Sequence, residues 1–176
     1  MNLTTGWLTI IIGTSHQTSD FLVDGLEPWG EANQTQHPNA RRLVINLDNG
    51  PENHSRRTQF LKRIVAFARK YDLRVQLAYY PPYHSKYNPI ERCWGVLEMH
   101  WNGSLLDSVA AAVGFARSMT WKGKHPQVSV VETTYAKGVR LKAAEMKELE
   151  SQVVRLRSLE KWFVEIPAKP RKIPDG

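Results

Sequence analysis

Asp48 and Glu91 are the two acids whose type and placement could do chemistry together. Asp48 ends the apolar run Leu43 to Leu47 and opens Asp48-Asn-Gly-Pro, while Glu91 follows Asn88-Pro-Ile at the start of a helical pattern. Carboxylates held on rigid elements are what a hard cation such as Mg²⁺ requires, because it takes oxygen ligands in near-octahedral geometry and keeps positions for water and phosphate oxygens. Two such ions roughly 3.5 to 4 Å apart can activate a water and stabilise the leaving oxygen in phosphodiester cleavage. Each acid also has a purely architectural reading. Asp-Asn-Gly is a common turn sequence, and Glu91 completes a capping-box-like helix start that favours the helix dipole.

The remaining reactive side chains form weaker patterns. Nothing orders Cys93 with His54 or His84 into a nucleophile and its base. The two histidines lack the companion cluster a transition metal needs, so hydrogen bonding within loops suits them better. Arg56, Arg57, Lys62 and Arg63 follow Asp48 and either contact phosphates or form a solvated face; Lys86 and Arg92, flanking Glu91, share those two readings. Glu98 lies on the helix face of Glu91 as a secondary acid or an exposed one. Trp94 and Trp101 are expected in the core, with stacking on a displaced base as the alternative.

The elements that must position these residues are legible in the periodicity. Trp7 to Ile12 behind Gly6 suits a strand leaving a hairpin, yet Met1 to Thr5 are too few to supply its partner, so the chain is expected to start part-way through a fold. Thr18 or Ser19 caps a short or kinked helix carrying Phe21, Leu22, Leu26 and Trp29, followed by a polar linker from Glu31 to Asn39. Leu43 to Leu47 reads as a buried strand. From Ser55 to Tyr71 the positions Phe60, Leu61, Ile64, Val65, Ala68 and Tyr71 recur at helical spacing with basic residues between them. Val75 to Tyr80 is the next strand, stopped by Pro81-Pro82. Strand, helix, strand in this order predicts a parallel βαβ crossover that brings Asp48 and the start of the Asn88 helix to one sheet edge. That helix has Asn88 as N-cap and Pro89 at its first position, with Ile90, Trp94, Leu97 and Trp101 on its apolar stripe. Further on, the pattern predicts a helix over Leu105 to Met119, a strand over Val128 to Thr134, and a helix over Lys142 to Ser158 striped by Met146, Leu149, Val153 and Leu156.

Composition narrows the function classes. The 176 residues carry 24 Lys and Arg against 17 Asp and Glu, a net charge of +7, and are 41% hydrophobic and 23% charged. That is ordinary globular composition, which argues against wholesale disorder, a collagen-like repeat or a disulfide scaffold. No apolar run reaches the length of a membrane span, and the N-terminus lacks the features of a signal peptide. Cys93 is the single cysteine, so no internal disulfide forms. The expected setting is cytoplasmic, without a membrane partner, and the basic balance favours a polyanion.

Asp48-Asn-Gly-Pro-Glu-Asn-His-Ser followed by Pro81-Pro-Tyr-His-Ser-Lys-Tyr-Asn-Pro-Ile-Glu-Arg-Cys-Trp-Gly resembles the second and third acidic motifs of DDE-type transposases. The Asn-Pro-Ile-Glu form is similar to that of their mariner-like and insertion-sequence branches, and the chain looks closest to the Rhodopirellula-type transposases. The resemblance extends from about Gly6 through Ile166, including Gly13-Thr-Ser, Thr18-Ser-Asp-Phe, Thr133-Thr-Tyr and Lys161-Trp-Phe. It implies an α/β, ribonuclease-H-like mixed sheet with flanking helices, two Mg²⁺ or Mn²⁺ ions, and catalytic metal-ligand roles for Asp48 and Glu91. It also implies DNA as partner, as transposon ends and target, in a homodimer or together with an upstream transposase segment. Enzymes of this kind place a first catalytic Asp on an opening strand that this chain lacks. Asp20, Asp24, Glu27 and Glu31 all lie in or after the first helix. The expected organisation is a partial catalytic domain over residues 1–125, a strand-and-helix extension over 126–166 and a basic tail over 167–176. Such a part is expected to be inactive alone; the alternative is a non-enzymatic DNA-binding or assembly fragment.

Overall fold

Alternating β-branched runs and amphipathic stretches resolve, in the computed structural model, into twelve elements over the described residues 1–81, 84 and 87–168. In chain order they are β1 (Thr9–Gly13), α1 (Ser19–Asp24), α2 (Glu27–Gln36), β2 (Arg42–Leu47), α3 (Thr58–Lys70), β3 (Arg74–Tyr79), α4 (Pro89–Trp101), α5 (Val109–Ser118), β4 (Gln127–Val131), α6 (Ala143–Ser151), β5 (Val154–Arg155) and β6 (Phe163–Ile166). They form two compact units, Gln17–Pro82 with Tyr135–Gly176, and Met1–His16 with Tyr83–Thr134. Lys86 and the tail from Lys169 onward lie outside the described residues.

The first unit is built on a four-stranded sheet in the order β2-β3-β6-β5. β2 and β3 are parallel neighbours, with Leu43 opposite Val75 and Leu47 opposite Tyr79, as the strand-helix-strand order predicts. β6 runs antiparallel to β3, and β5 antiparallel to β6. α3 buries Phe60, Leu61, Ile64, Val65, Phe67 and Ala68, and these join Val75, Leu77, Val164 and Ile166 in one core. A polar row crosses the sheet: Arg42 Nε donates to Gln76 Oε1 at 2.7 Å, and Gln76 Nε2 donates to Glu165 Oε2 at 2.7 Å.

Three expectations are corrected here. β2 is not a buried strand. It lies at the sheet edge with β3 as its one neighbour, and Val44 is 49% exposed. Residues 31–36 are helical rather than linker, because Pro28 falls in the first turn of α2, where a missing N–H breaks no helical bond, while Gly25 ends α1 as a separate helix. The helix expected to reach Ser158 stops at Ser151, since Val154 and Arg155 pair with β6, and Ser158 turns the chain with φ at 68°.

The second unit holds a two-stranded sheet in which β1 pairs parallel with β4, Thr9 opposite Gln127 through Gly13 opposite Val131. The turn at Gly6 is present, with φ at 71°, and Gly6 N donates to Asn2 O at 2.9 Å. Its product is not a hairpin, because β1 takes a partner from far downstream. α4 and α5 contribute Cys93, Leu97 and Ala116 to a core with Leu8, Ile10 and Met119. Trp94, expected inside, is 41% exposed: a sheet only two strands wide does not cover the whole stripe of α4.

Candidate functional site

Asp48 stands at the carboxyl end of β2, where the strand gives way to a loop that the sequence fills with turn formers. Asn49 takes a left-handed conformation with φ at 62°. Gly50 N donates to Asp48 Oδ1 at 3.3 Å and Asn53 Nδ2 donates to the same oxygen at 2.9 Å, so one carboxylate oxygen is fixed while Oδ2 has no hydrogen bond among the described residues. The aspartate is exposed. A Cβ added at Gly50 would sit 3.3 Å from Asn53 Oδ1, 3.4 Å from Asp48 Oδ1 and 3.6 Å from Asp48 Oδ2, a close but not forbidden fit. Asn53 Oδ1 is buried and has no hydrogen-bond partner among the described residues. The Asp48 carboxylate, with Oδ2 free of hydrogen bonds among the described residues, is an oxygen donor of the kind a hard divalent cation takes.

Glu52 locks this loop to its surroundings. Its Oε2 accepts from Arg57 Nη2 at 2.9 Å and from Ser19 Oγ at 3.1 Å, while Ser19 Oγ also donates to the Glu52 carbonyl at 2.7 Å. Burial alone would raise the Glu52 carboxyl, but hydrogen bonds from Arg57 and Ser19 and the Arg57 charge together outweigh it and hold the group below its ordinary range. The Asp48 loop is thereby tied to the start of α1 and the cap of α3. Sequence reasoning passed over both Glu52 and Asn53. Their signal was present in the string Asp48-Asn-Gly-Pro-Glu-Asn, too dense in polar turn residues for a simple reversal.

In the other unit, Glu91 lies in the first turn of α4, whose N-cap Asn88 accepts from Ile90 N at 3.4 Å. Glu91 is exposed, and its carboxylate forms no hydrogen bond or ion pair among the described residues, so the reciprocal bond of a capping box is not made. Arg92 is likewise exposed. Among the described residues no group of three or more His, Cys, Asp and Glu side chains gathers to hold a metal.

The basic residues after Asp48 differ from one another. Arg57 pairs with Glu52, Lys62 with Glu145 at 3.1 Å, and Arg63 with both Asp20 and Asp24. Arg56 is exposed and enters no ion pair among the described residues. His54 Nδ1 accepts from Arg56 N at 3.2 Å, a bond within its own loop. Burial, then the charges of Arg57 and Arg56, lower its pKa despite the opposing pull of Glu52. Cys93 is buried, its thiol pushed up mainly by desolvation, which does not suit a nucleophile. Ile10, Ile12, Leu97, Trp94 and Trp101 line a groove of about 500 Å³ with Glu98 beside them.

No helix among the described residues is long and apolar enough to cross a membrane. No curated protein and no solved structure matches the chain. A family model described as the Rhodopirellula transposase DDE domain matches residues 1–168. Covering nearly the whole sequence, including the aspartate loop after β2 and the Asn88-capped helix with Glu91, that match shows that the chain belongs to the Rhodopirellula-type DDE transposase family.

Proposed function

We propose that the chain is part of a transposase catalytic domain of ribonuclease-H-like type, which in the intact enzyme cleaves a DNA strand and transfers the freed 3′ hydroxyl to a new phosphodiester. The observation that carries this reading is Asp48 at the carboxyl end of β2, with one carboxylate oxygen fixed by Gly50 and Asn53 and the other without a hydrogen bond among the described residues. In it Asp48 and Glu91 are the catalytic carboxylates, and Arg56, Lys86 and Arg92 meet the phosphates, while Arg57, Lys62 and Arg63, held in ion pairs with Glu52, Glu145, Asp20 and Asp24, add to the positive field around them. Bound Mg²⁺ or Mn²⁺ supplies charge stabilisation to the phosphoryl oxygens. The chain's own part is to hold Asp48 in one rotamer through Asn53 and Gly50, and to keep Glu91 free of competing bonds. Residues 1–125 form the catalytic part, 126–166 its extension and 167–176 a basic tail, acting at the nucleoid as a homodimer or with an upstream segment.

The chain alone is expected to be inactive, because two-metal chemistry needs more negative charge than two carboxylates provide. The acids preceding Asp48 are engaged elsewhere: Asp20 and Asp24 with Arg63, Glu27 and Glu31 with Lys70. Those pairs also favour the second reading, a DNA-binding or assembly part without chemistry of its own. Incubating a transposon-end duplex with Mn²⁺ or Mg²⁺ separates them. Cleavage is expected only when an upstream segment is joined to the chain, and is abolished by Asp48→Ala or Glu91→Ala. Robust cleavage by the 176-residue chain would overturn the expected inactivity. Cleavage by the joined form that survives Asp48→Ala would overturn the assigned site.

A further inference from the structure

Arg56, Arg155 and Lys161 come from three separate stretches of the chain and line one pocket of about 390 Å³, together with Glu150 and Glu160. We infer that this pocket is a docking site for a single phosphodiester of the DNA backbone. The inference rests on the DNA-processing reading above and assigns residues of the C-terminal extension to the strand that passes Asp48.

Position is the first support. Tyr80 N donates to Leu47 O at 2.9 Å, and Tyr79 N donates to Trp162 O at 2.9 Å, so the segment containing Lys161 runs beside the carboxyl ends of β2 and β3. Arg155 Nη2 donates to Ser55 O at 3.0 Å, on the loop that begins at Asp48. The pocket and Asp48 therefore lie toward the same end of the same sheet, although β5 and β2 are its opposite edge strands.

Preorganisation is the second. Arg155 is held by Glu150, which accepts from its Nε at 3.0 Å and its Nη2 at 2.7 Å, and by the Glu160 carbonyl, which accepts from Nη1 at 3.2 Å. Glu160 Oε1 accepts from Ser158 N at 2.9 Å. Both carboxylates are thus engaged. Arg56 and Lys161 are exposed and form no ion pair among the described residues, in contrast to Arg57, Lys62 and Arg63. With its Nε, both Nη2 hydrogens and one Nη1 hydrogen already engaged, Arg155 shapes the pocket, and the free Arg56 and Lys161 are the cations that bind phosphate oxygens without reading sequence.

Charge balance is the third. Three cations against two carboxylates leave one net positive charge, which matches the single negative charge of a phosphodiester. The lining side chains are all charged, which suits no apolar ligand.

The test is fluorescence anisotropy of a labelled duplex with the full chain over a series of NaCl concentrations. Arg56→Ala with Lys161→Ala should weaken binding several-fold and flatten the log–log salt slope by about 0.9, the loss of one phosphate contact. Lys137→Ala with Arg140→Ala removes the same charge away from the pocket and should leave the slope unchanged. Circular dichroism confirms that each variant folds. If the wild-type chain binds DNA and both double variants behave alike, the pocket site is wrong while the DNA reading stands. If the wild-type chain does not bind DNA, both fall. Displacement of DNA by millimolar inorganic phosphate at constant ionic strength is expected with wild type and not with the pocket variant; phosphate binding that depends on Arg56 and Lys161 but leaves DNA affinity unchanged would assign the pocket to a free phosphate ion and overturn the backbone site.

Discussion

Glu52 is the side chain on which the Asp48 loop depends, and its energetics are open to direct measurement. It is partly buried against Arg57, so removing its charge should cost about 1 kcal/mol, the range of a partly screened charged hydrogen bond. Glu52→Gln is expected to lower stability to chemical denaturation by that amount at pH 7. Because the folded carboxyl is held below its ordinary 4.5, its contribution is complete above that pH and disappears as pH falls through the folded value. The gap between wild type and Glu52→Gln should therefore narrow progressively as pH is lowered below 4.5; a gap that stays constant down to full protonation of the carboxyl would mean the loss is one of packing. At this scale the sequence marks the two proposed acids but not the groups that support them. Asp48 and Glu91 are marked by position beside a strand end and a helix cap. Glu52 and Asn53 act through bonds to Ser19, Arg57 and Asp48 that only the folded loop brings together.

α4 shows what is gained when local chemistry and tertiary placement agree. Asn88 caps it, Pro89 begins it and Leu97 is buried by it, as the sequence pattern has them, while Cys93 rather than Trp94 fills the inner face. Asn88→Ala should destabilise the two-stranded unit by roughly 0.5 to 1 kcal/mol, while Asn88→Ser retains most of that. Thermal unfolding monitored by circular dichroism checks both, and equal melting of the Ala and Ser variants would deny the cap its role. α3 is legible in its apolar spacing, which names Phe60, Leu61, Ile64, Val65 and Ala68 but not the equally buried Phe67. Strand context is not. Leu43 to Leu47 is apolar enough for an interior strand, yet its burial depends on neighbours that a run of residues does not specify. Likewise Val153 to Leu156 continues a helical spacing, and only the availability of β6 draws Val154 and Arg155 into a sheet.

For the whole chain, the order of strands in the four-stranded sheet makes the C-terminal segment structural. β6 covers the edge of β3 and contributes the buried Val164 and Ile166. Ending the chain at Thr134 would remove β5, β6 and α6 together, and the remaining β2–β3 pair should lose cooperative unfolding and bind a hydrophobic dye; a truncated protein with a sharp melt would show the extension to be dispensable. The pairing of β1 with β4 acts at the same scale, and its consequence lies in time. Ser15 meets Thr133 across 118 residues of chain. At a ribosomal rate of roughly 5 to 20 residues per second, β1 waits on the order of ten seconds for its partner to be made. Throughout that interval Ile10-Ile11-Ile12 is an unpaired, uncharged β-branched segment, the composition that nascent-chain chaperones shield from aggregation. Yield from the cell should thus respond to translation speed and chaperone supply more than to the stability of the finished protein.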